Sequence, residues 1–361
     1  MKFNPTRLSV ARQRRLLNKK GFADLVGVSA HTVTRWESGM TLPSDQTVQD
    51  FSNVLKFPVG FFFGSNLEVP ESGLVSFRSQ KAMTAGIRDA ALAAGAIGFL
   101  ISDWVEKQFD LPDVDLRDLS LYEPEAAAVA LRQEWGLGEQ PIKNMVHLLE
   151  SKGVRVLSLA ENSKRVNAFS LWRDDKPYVF LNTMKTAENS RFDTAHELGH
   201  LVLHQDGMTT GRKAEDEANQ FASAFLMPKA DLLAQGVRNV YSLGQLIELK
   251  KRWKVSVAAL NYRIHKLGFT SPWKYRDFCI QLSTLYRNSE PDGIEREKSV
   301  VWQKVMTFLW SEKVTQFDIA KDLDLPESEV NALIFGILYD GSRSRPQTRQ
   351  ALSLVKSDAS G

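Results

Sequence analysis

At 361 residues the chain is long enough for two or three domains, each with its own core. A hydrophobic content of 43% and a charged content of 25% are those of an ordinary globular protein, and one cysteine, Cys279, excludes a disulfide framework within the chain. The net charge of +3 hides an asymmetry: residues 1–66 carry nine Lys/Arg against four Asp/Glu, and residues 67–150 carry seven against fourteen.

A basic module followed by an acidic one points to the first alone as the partner of a polyanion. That first module reads as four or five short helices. Leu8, Ala11 and Arg15 share a face of the first. Asn18 is placed to cap a second helix through Phe22, Ala23 and Leu25, and Gly27 suits a left-handed turn. Ser29 then caps a helix from Ala30 to Ser38, which Gly39 stops. Ala23, Gly27, Val28, Val33 and Trp36 fall where the two helices of a helix-turn-helix must pack closely.

From about residue 5 to 64, and ending in Trp36-Glu37-Ser38-Gly39 with Pro43-Ser44 beyond, the run resembles XRE-type phage-repressor DNA-binding domains. The resemblance implies a double-stranded DNA operator as partner, read by a homodimer. By position it sets Ala30, His31 and Arg35 against base edges, with Arg35 able to hold a guanine bidentately. Lys19, Ser38 and Arg12 or Arg15 become phosphate-side residues. Two departures stand out: Lys19 replaces a common glutamine, and Gly21 inside a helix costs roughly 1 kcal/mol relative to alanine. The competing reading is a helical bundle that serves protein association.

Residues 67–120 read as a connector bounded by Pro70 and Pro112, with one long helix over Ala82–Phe109 whose Ala- and Gly-rich centre permits close helix–helix approach. Its small-apolar run, Ala90 to Ile101, is 12 residues between Asp89 and Asp103. That is short of the roughly 20 a bilayer span needs. With no apolar leader near the N-terminus, the expected location is the cytoplasm, away from any membrane. From Glu123 follow helices through Ala130 and Met145, then strand candidates at Val154–Leu159, Asn167–Trp172 and Pro177–Asn182.

Next comes Ala195-His196-Glu197-Leu198-Gly199-His200, an HExxH motif in an apolar helical run with Asn189 or Ser190 as candidate cap. Positions i and i+4 lie one turn apart on one face, so His196 and His200 can aim at one point about 2.0–2.1 Å from each nitrogen, as Zn²⁺ prefers. Glu197 can reach a water there and take its proton. A third ligand is needed, and carboxylates stand at the front of a second helix, Glu215-Asp216-Glu217, ahead of the helical spacing of Ala218, Phe221, Ala222 and Phe225. Spacing does not choose between Glu215 and Glu217. His204 lies about 12 Å along the axis from His196, too far for the two to share one ion without stretching toward each other, and reads as a supporting donor or a packed surface histidine.

HELGHLVLH followed by EDEANQFASAFLMP resembles the ImmA/IrrE zinc metallopeptidases, over about Tyr122 to Gly268. The resemblance implies a gluzincin-like site with Zn²⁺ on His196, His200 and Glu217, Glu197 as general base, and a narrow protein substrate such as a repressor. In zincin-like folds an edge strand pairs with the substrate, and Asn167–Trp172 is the candidate here. Tyr178, His204 and Tyr262 are candidates for stabilising the oxyanion.

After Gly268 the chain is helical and aromatic-rich, with a second helix-turn-helix cadence over Lys313–Pro326. Asp318, Asp322, Asp324, Glu327 and Glu329 would repel a phosphate backbone, so a packing or sensing role is expected. The Ser-, Arg- and Lys-rich tail from Gly341 reads as weakly ordered. The expected architecture is therefore multi-domain. An all-α helix-turn-helix domain (1–66) and a helical connector (67–120) precede an α+β zincin-like metallopeptidase domain (121–269) and a helical C-terminal region (270–361). The function expected is a DNA-binding regulator with a zinc endopeptidase that cuts a regulatory protein or itself, Pro70–Arg78 being the candidate self-cut segment. The alternative is an antitoxin-like or repressor protein whose peptidase fold only senses or supports.

Overall fold

The computed structural model describes residues 2–71, 84–159, 168–205, 209, 211–287 and 289–337. Asn167, residues 72–78 of the proposed self-cut segment and the tail from Gly341 lie outside the described residues. Four short helices open the chain: α1 (Pro5–Arg14), α2 (Lys19–Val26), α3 (Ala30–Glu37) and α4 (Asp45–Leu55). Asn4, Asn18, Ser29 and Ser44 cap them in turn, each side chain accepting a backbone N–H of the first turn. Gly27 takes the left-handed conformation (φ 71°) that turns α2 into α3. Phe22, Val33, Trp36 and Phe51 fill the space between, with Trp36 edge-on to Phe51 at 5.1 Å.

The long helix, α5, runs Ala85–Glu106 behind a Thr84 cap, shorter at both ends than expected. At 22 residues, with a mean hydropathy of 1.4 in its most apolar stretch, it is long and apolar enough by length and composition to cross a membrane. The 12-residue run understated it, because its flanks continue the apolar pattern; 67% of the apolar stretch is buried within the protein. The helix packs closely against α1, and Gly98 on it faces the sheet. A Cβ on Gly98 would lie 2.6 Å from the Phe180 ring, so this approach requires glycine.

After α6 (Pro124–Glu134) and α7 (Met145–Ser151) come β1 (Arg155–Leu159), β2 (Phe169–Arg173) and β3 (Lys176–Asn182). The sheet order is β1-β3-β2, with β1 parallel and β2 antiparallel to β3, so β1 and β2 form the two edges of the described sheet. Side chains alternate along β3. Tyr178 and Phe180 join the core that contains α5, whereas Val179 and Leu181 join the core under the next helix, α8 (Ala187–Leu203). Thr186, not Asn189 or Ser190, caps α8, accepting the Asn189 N–H; the helix begins one turn earlier than its apolar pattern does. α9 (Gly211–Leu226), α10 (Lys229–Ala234), α11 (Leu243–Trp253) and α12 (Val257–Lys266) complete this core around Phe221, Phe225 and Trp253.

α13 (Pro272–Leu285) precedes an irregular segment that carboxylates stitch down: Glu290 accepts the Val257 N–H, and Glu297 accepts those of Met145 and Val146 while pairing with buried Arg191. α14 (Val300–Ser311), α15 (Gln316–Asp322) and α16 (Glu327–Leu333) follow. The second helix-turn-helix cadence is a packing element. Glu329 pairs with Arg14 and Arg15 of the first module, at 2.7 and 2.5 Å, while Ser158 of β1 donates to the Ala332 carbonyl and accepts the Phe335 N–H.

Candidate metal centre and exposed helix face

The site forms where α8 and α9 come closest. A Cβ on Gly199 would stand 3.2 Å from the Ala218 Cα and 3.1 Å from Phe221, so a glycine here lets the second helix lie against the HExxH turn. His196 and His200 are buried on α8, their Nε2 atoms 3.0 Å apart. The carboxylate that meets them is Glu215, whose oxygens lie 3.5 Å from each Nε2. The donor atoms of the three residues lie within 4.8 Å of one another. A tetrahedral ion bonded at about 2.0–2.1 Å separates its ligand atoms by roughly 3.4 Å, so two imidazoles and one carboxylate at these spacings fit a metal such as zinc.

Geometry thus puts Glu215, not the expected Glu217, beside the two imidazoles. The physical reason is azimuth: two residues apart on a helix is roughly 200° around it, so both cannot face one point. Glu215 and Glu217 flank opposite sides of the buried stripe formed by Ala214, Ala218, Phe221 and Phe225. Glu217 instead meets His204, Oε2 to Nε2 at 3.0 Å. Burial alone would raise the Glu215 carboxyl, but its contacts with the His196 and His200 rings outweigh it and hold the group well below the usual carboxylate range.

Two residues at the site carried no signal in the sequence. Ser170, buried on β2, donates to Glu197 Oε2 at 2.7 Å and so fixes the carboxylate next to His196. Asn219, one turn after Glu215, places its Oδ1 3.2 Å from His196 Nδ1. The i, i+4 spacing from Glu215 would have pointed to Asn219 had the ligand been known; nothing local marks Ser170. Of the oxyanion candidates, Tyr178 lies on the opposite face of the sheet with its hydroxyl donating to Ser102, and His204 is engaged with His200 and Glu217. Tyr262 is on α12, with Lys266 over its ring at 5.4 Å.

In the first module, α3 turns His31, Thr34, Arg35 and Ser38 outward, with Ala30 half-buried at its start. Ser38 donates to the Arg35 carbonyl, and Lys19 is 3.5 Å from Glu37 with its side chain partly exposed. Neither Arg12 nor Arg15 is disposed toward phosphates. Arg12 is buried in a bidentate pair with Glu37 and donates to the Leu17 carbonyl. Arg15 donates to the Leu55 carbonyl and to Glu329. The small module uses these cations to hold itself and its neighbour together.

Comparison with known families gives two matches. Residues 149–265 match the IrrE N-terminal-like peptidase domain, and residues 8–62 match a helix-turn-helix domain. No curated protein matches the chain at a significant level.

Proposed function

We propose, for a chain that joins a helix-turn-helix domain to an IrrE N-terminal-like peptidase domain, a cytoplasmic DNA-binding regulator that acts as a zinc-dependent endopeptidase on a regulatory protein. The observation that carries this reading is the convergence of His196, His200 and Glu215 beside a Glu197 that Ser170 holds in place. His196, His200 and Glu215 would hold the ion, which when bound supplies a Lewis acid for a carbonyl and brings the pKa of a water toward about 7. Glu197 accepts a proton from the attacking water and returns it to the leaving amine. A catalytic carboxylate held by a buried hydroxyl fits this proton traffic; a pure scaffold has no need of one.

The substrate strand adds along β2, the edge strand of the described sheet that carries Ser170, which puts its backbone next to Ser170 and Glu197. In the same reading a dimer sets two α3 helices into successive major grooves, half-sites about 34 Å apart. His31 and Arg35 read bases, with Ala30 against them, and Lys19 and Ser38 sit on the backbone side.

The test uses the full chain. Glu197→Gln keeps the three ligands and similar shape, so it retains zinc and DNA binding while cleavage of the regulatory protein, and with it the response of a reporter gene placed under that protein's control, is lost. A wild-type response in Glu197→Gln shows that the metal site senses or stabilises rather than cuts.

A further inference from the structure

We infer that His204 and Glu217 are a positioning pair that selects the tautomer of His200 and aims its Nε2 at the metal; this rests on the zinc-site reading above. The three side chains form one line. His200 Nδ1 lies 2.9 Å from His204 Nδ1, and His204 Nε2 lies 3.0 Å from Glu217 Oε2. The His204 side chain is 6% exposed, against 24% for Glu217.

With the His200 Nε2 lone pair turned to the ion, hydrogen-bond chemistry allows one arrangement of protons along this line. An ionised carboxylate only accepts, so His204 carries its proton on Nε2 and donates it to Glu217. The neutral ring then offers Nδ1 as an acceptor. His200 must therefore carry its proton on Nδ1, which leaves the lone pair on Nε2, the atom that faces His196 and Glu215. His196 has a simpler version of the same support, its Nδ1 facing the Asn219 oxygen. Thus one helix, α9, supplies a ligand from one flank and the orientation of both histidine ligands from Asn219 and, through His204, from Glu217. Partners of this kind typically set metal affinity by 10–100-fold.

Zinc affinity of the full-length protein, measured by competition with a chromogenic chelator, tests the pair without relying on activity. Wild type and all positioning variants should bind one zinc. Glu217→Ala and His204→Phe should bind it about 10–100-fold more weakly, and Glu217→Gln, which still offers an acceptor oxygen, should recover part of the loss. Glu215→Ala should lose the site. Nitrogen-15 spectra of the zinc-free protein give a second readout that mere loss of packing would not produce. His200 should be the Nδ1–H tautomer in wild type and shift toward Nε2–H in Glu217→Ala. Circular dichroism checks that each variant is folded, and Glu217→Gln carries the test if the alanine is not. Unchanged affinity and tautomer in Glu217→Gln, Glu217→Ala and His204→Phe overturn the pair while leaving the zinc site standing. Loss of zinc in Glu217→Ala with retention in Glu215→Ala makes Glu217 a ligand and also overturns it. A wild-type protein that binds no zinc removes the underlying reading as well.

Discussion

Arg12 and Arg35 sit on the same small module and carry the same charge in opposite surroundings. Arg12 forms a two-pronged bond to Glu37 at 2.6 and 3.1 Å, tying α1 to the end of α3, and both side chains are more than nine-tenths buried. Removing Arg12 takes both short bonds from the buried Glu37 and leaves it Lys19 alone, at 3.5 Å. Arg12→Ala should therefore destabilise the module by about 3–5 kcal/mol, seen as a lower urea midpoint with no DNA present. Arg35 is exposed on the outer face of α3, so Arg35→Ala should leave the melting midpoint nearly unchanged. It should cost roughly 1–3 kcal/mol on the specific operator and little on random DNA, measured by titration at fixed salt. Equal losses on both DNAs would reduce Arg35 to a phosphate contact.

At the scale of elements, the C-terminal helices are held by carboxylates placed at helix starts. Glu150, at the end of α7, accepts the Ser299 hydroxyl and the Val300 and Val301 N–H groups at the first turn of α14. Trp302 on the same turn donates from its indole to the Val156 carbonyl, so α14 is fastened to both α7 and β1. Burial pushes the Glu150 carboxyl up from 4.5 to about 7, against the opposing pull of Ser299, Val301 and Val300. Between those two pH values the folded protein keeps a proton that the unfolded chain has released. This group's contribution is therefore fully present below about pH 4.5 and is lost as the pH rises toward about 7. The loss amounts to at most roughly 3 kcal/mol. Glu150→Gln, always neutral and able to bond Ser299, should flatten the decline in urea stability between pH 5 and pH 7. An unchanged slope would place that pH dependence elsewhere.

Across the whole molecule, the C-terminal unit bridges the helix-turn-helix module and the β1-β3-β2 sheet. Glu329 on α16 reaches Arg14 and Arg15, while Ser158 on β1 exchanges hydrogen bonds with the backbone at Ala332 and Phe335. The helix α5 runs between the same two parts, and its core is continuous with Phe51 on one side and Phe180 on the other. This bridging should make the chain unfold as one unit. Glu329→Ala removes the carboxylate from two arginines and should lower the stability of the first module by about 3 kcal/mol or more. Calorimetry should then resolve two transitions where wild type shows one; a single unshifted transition would assign the bridge to apolar packing.

What the sequence determined by itself was local. Two histidines one helical turn apart, Glu197 between them, the Asn18 and Ser29 caps and the Gly27 turn all follow from spacing within a few residues, because the helix fixes that geometry wherever it lies. The two family resemblances rest on those same local runs. What tertiary structure alone decided were pairings between distant parts of the chain. The choice of Glu215 over Glu217 depends on how α9 is rotated against α8, which the contact at Gly199 sets and no spacing encodes. Ser170 meets Glu197 only because β2 passes over α8, and α5 became a core helix because Gly98 admits the Phe180 ring. Arg12 and Arg15 look like cations for DNA until Glu37, Leu55 and Glu329 are brought to them. A charge's neighbours come from the packing of several elements, and that packing minimises exposed apolar surface and unpaired polar groups over the whole chain at once.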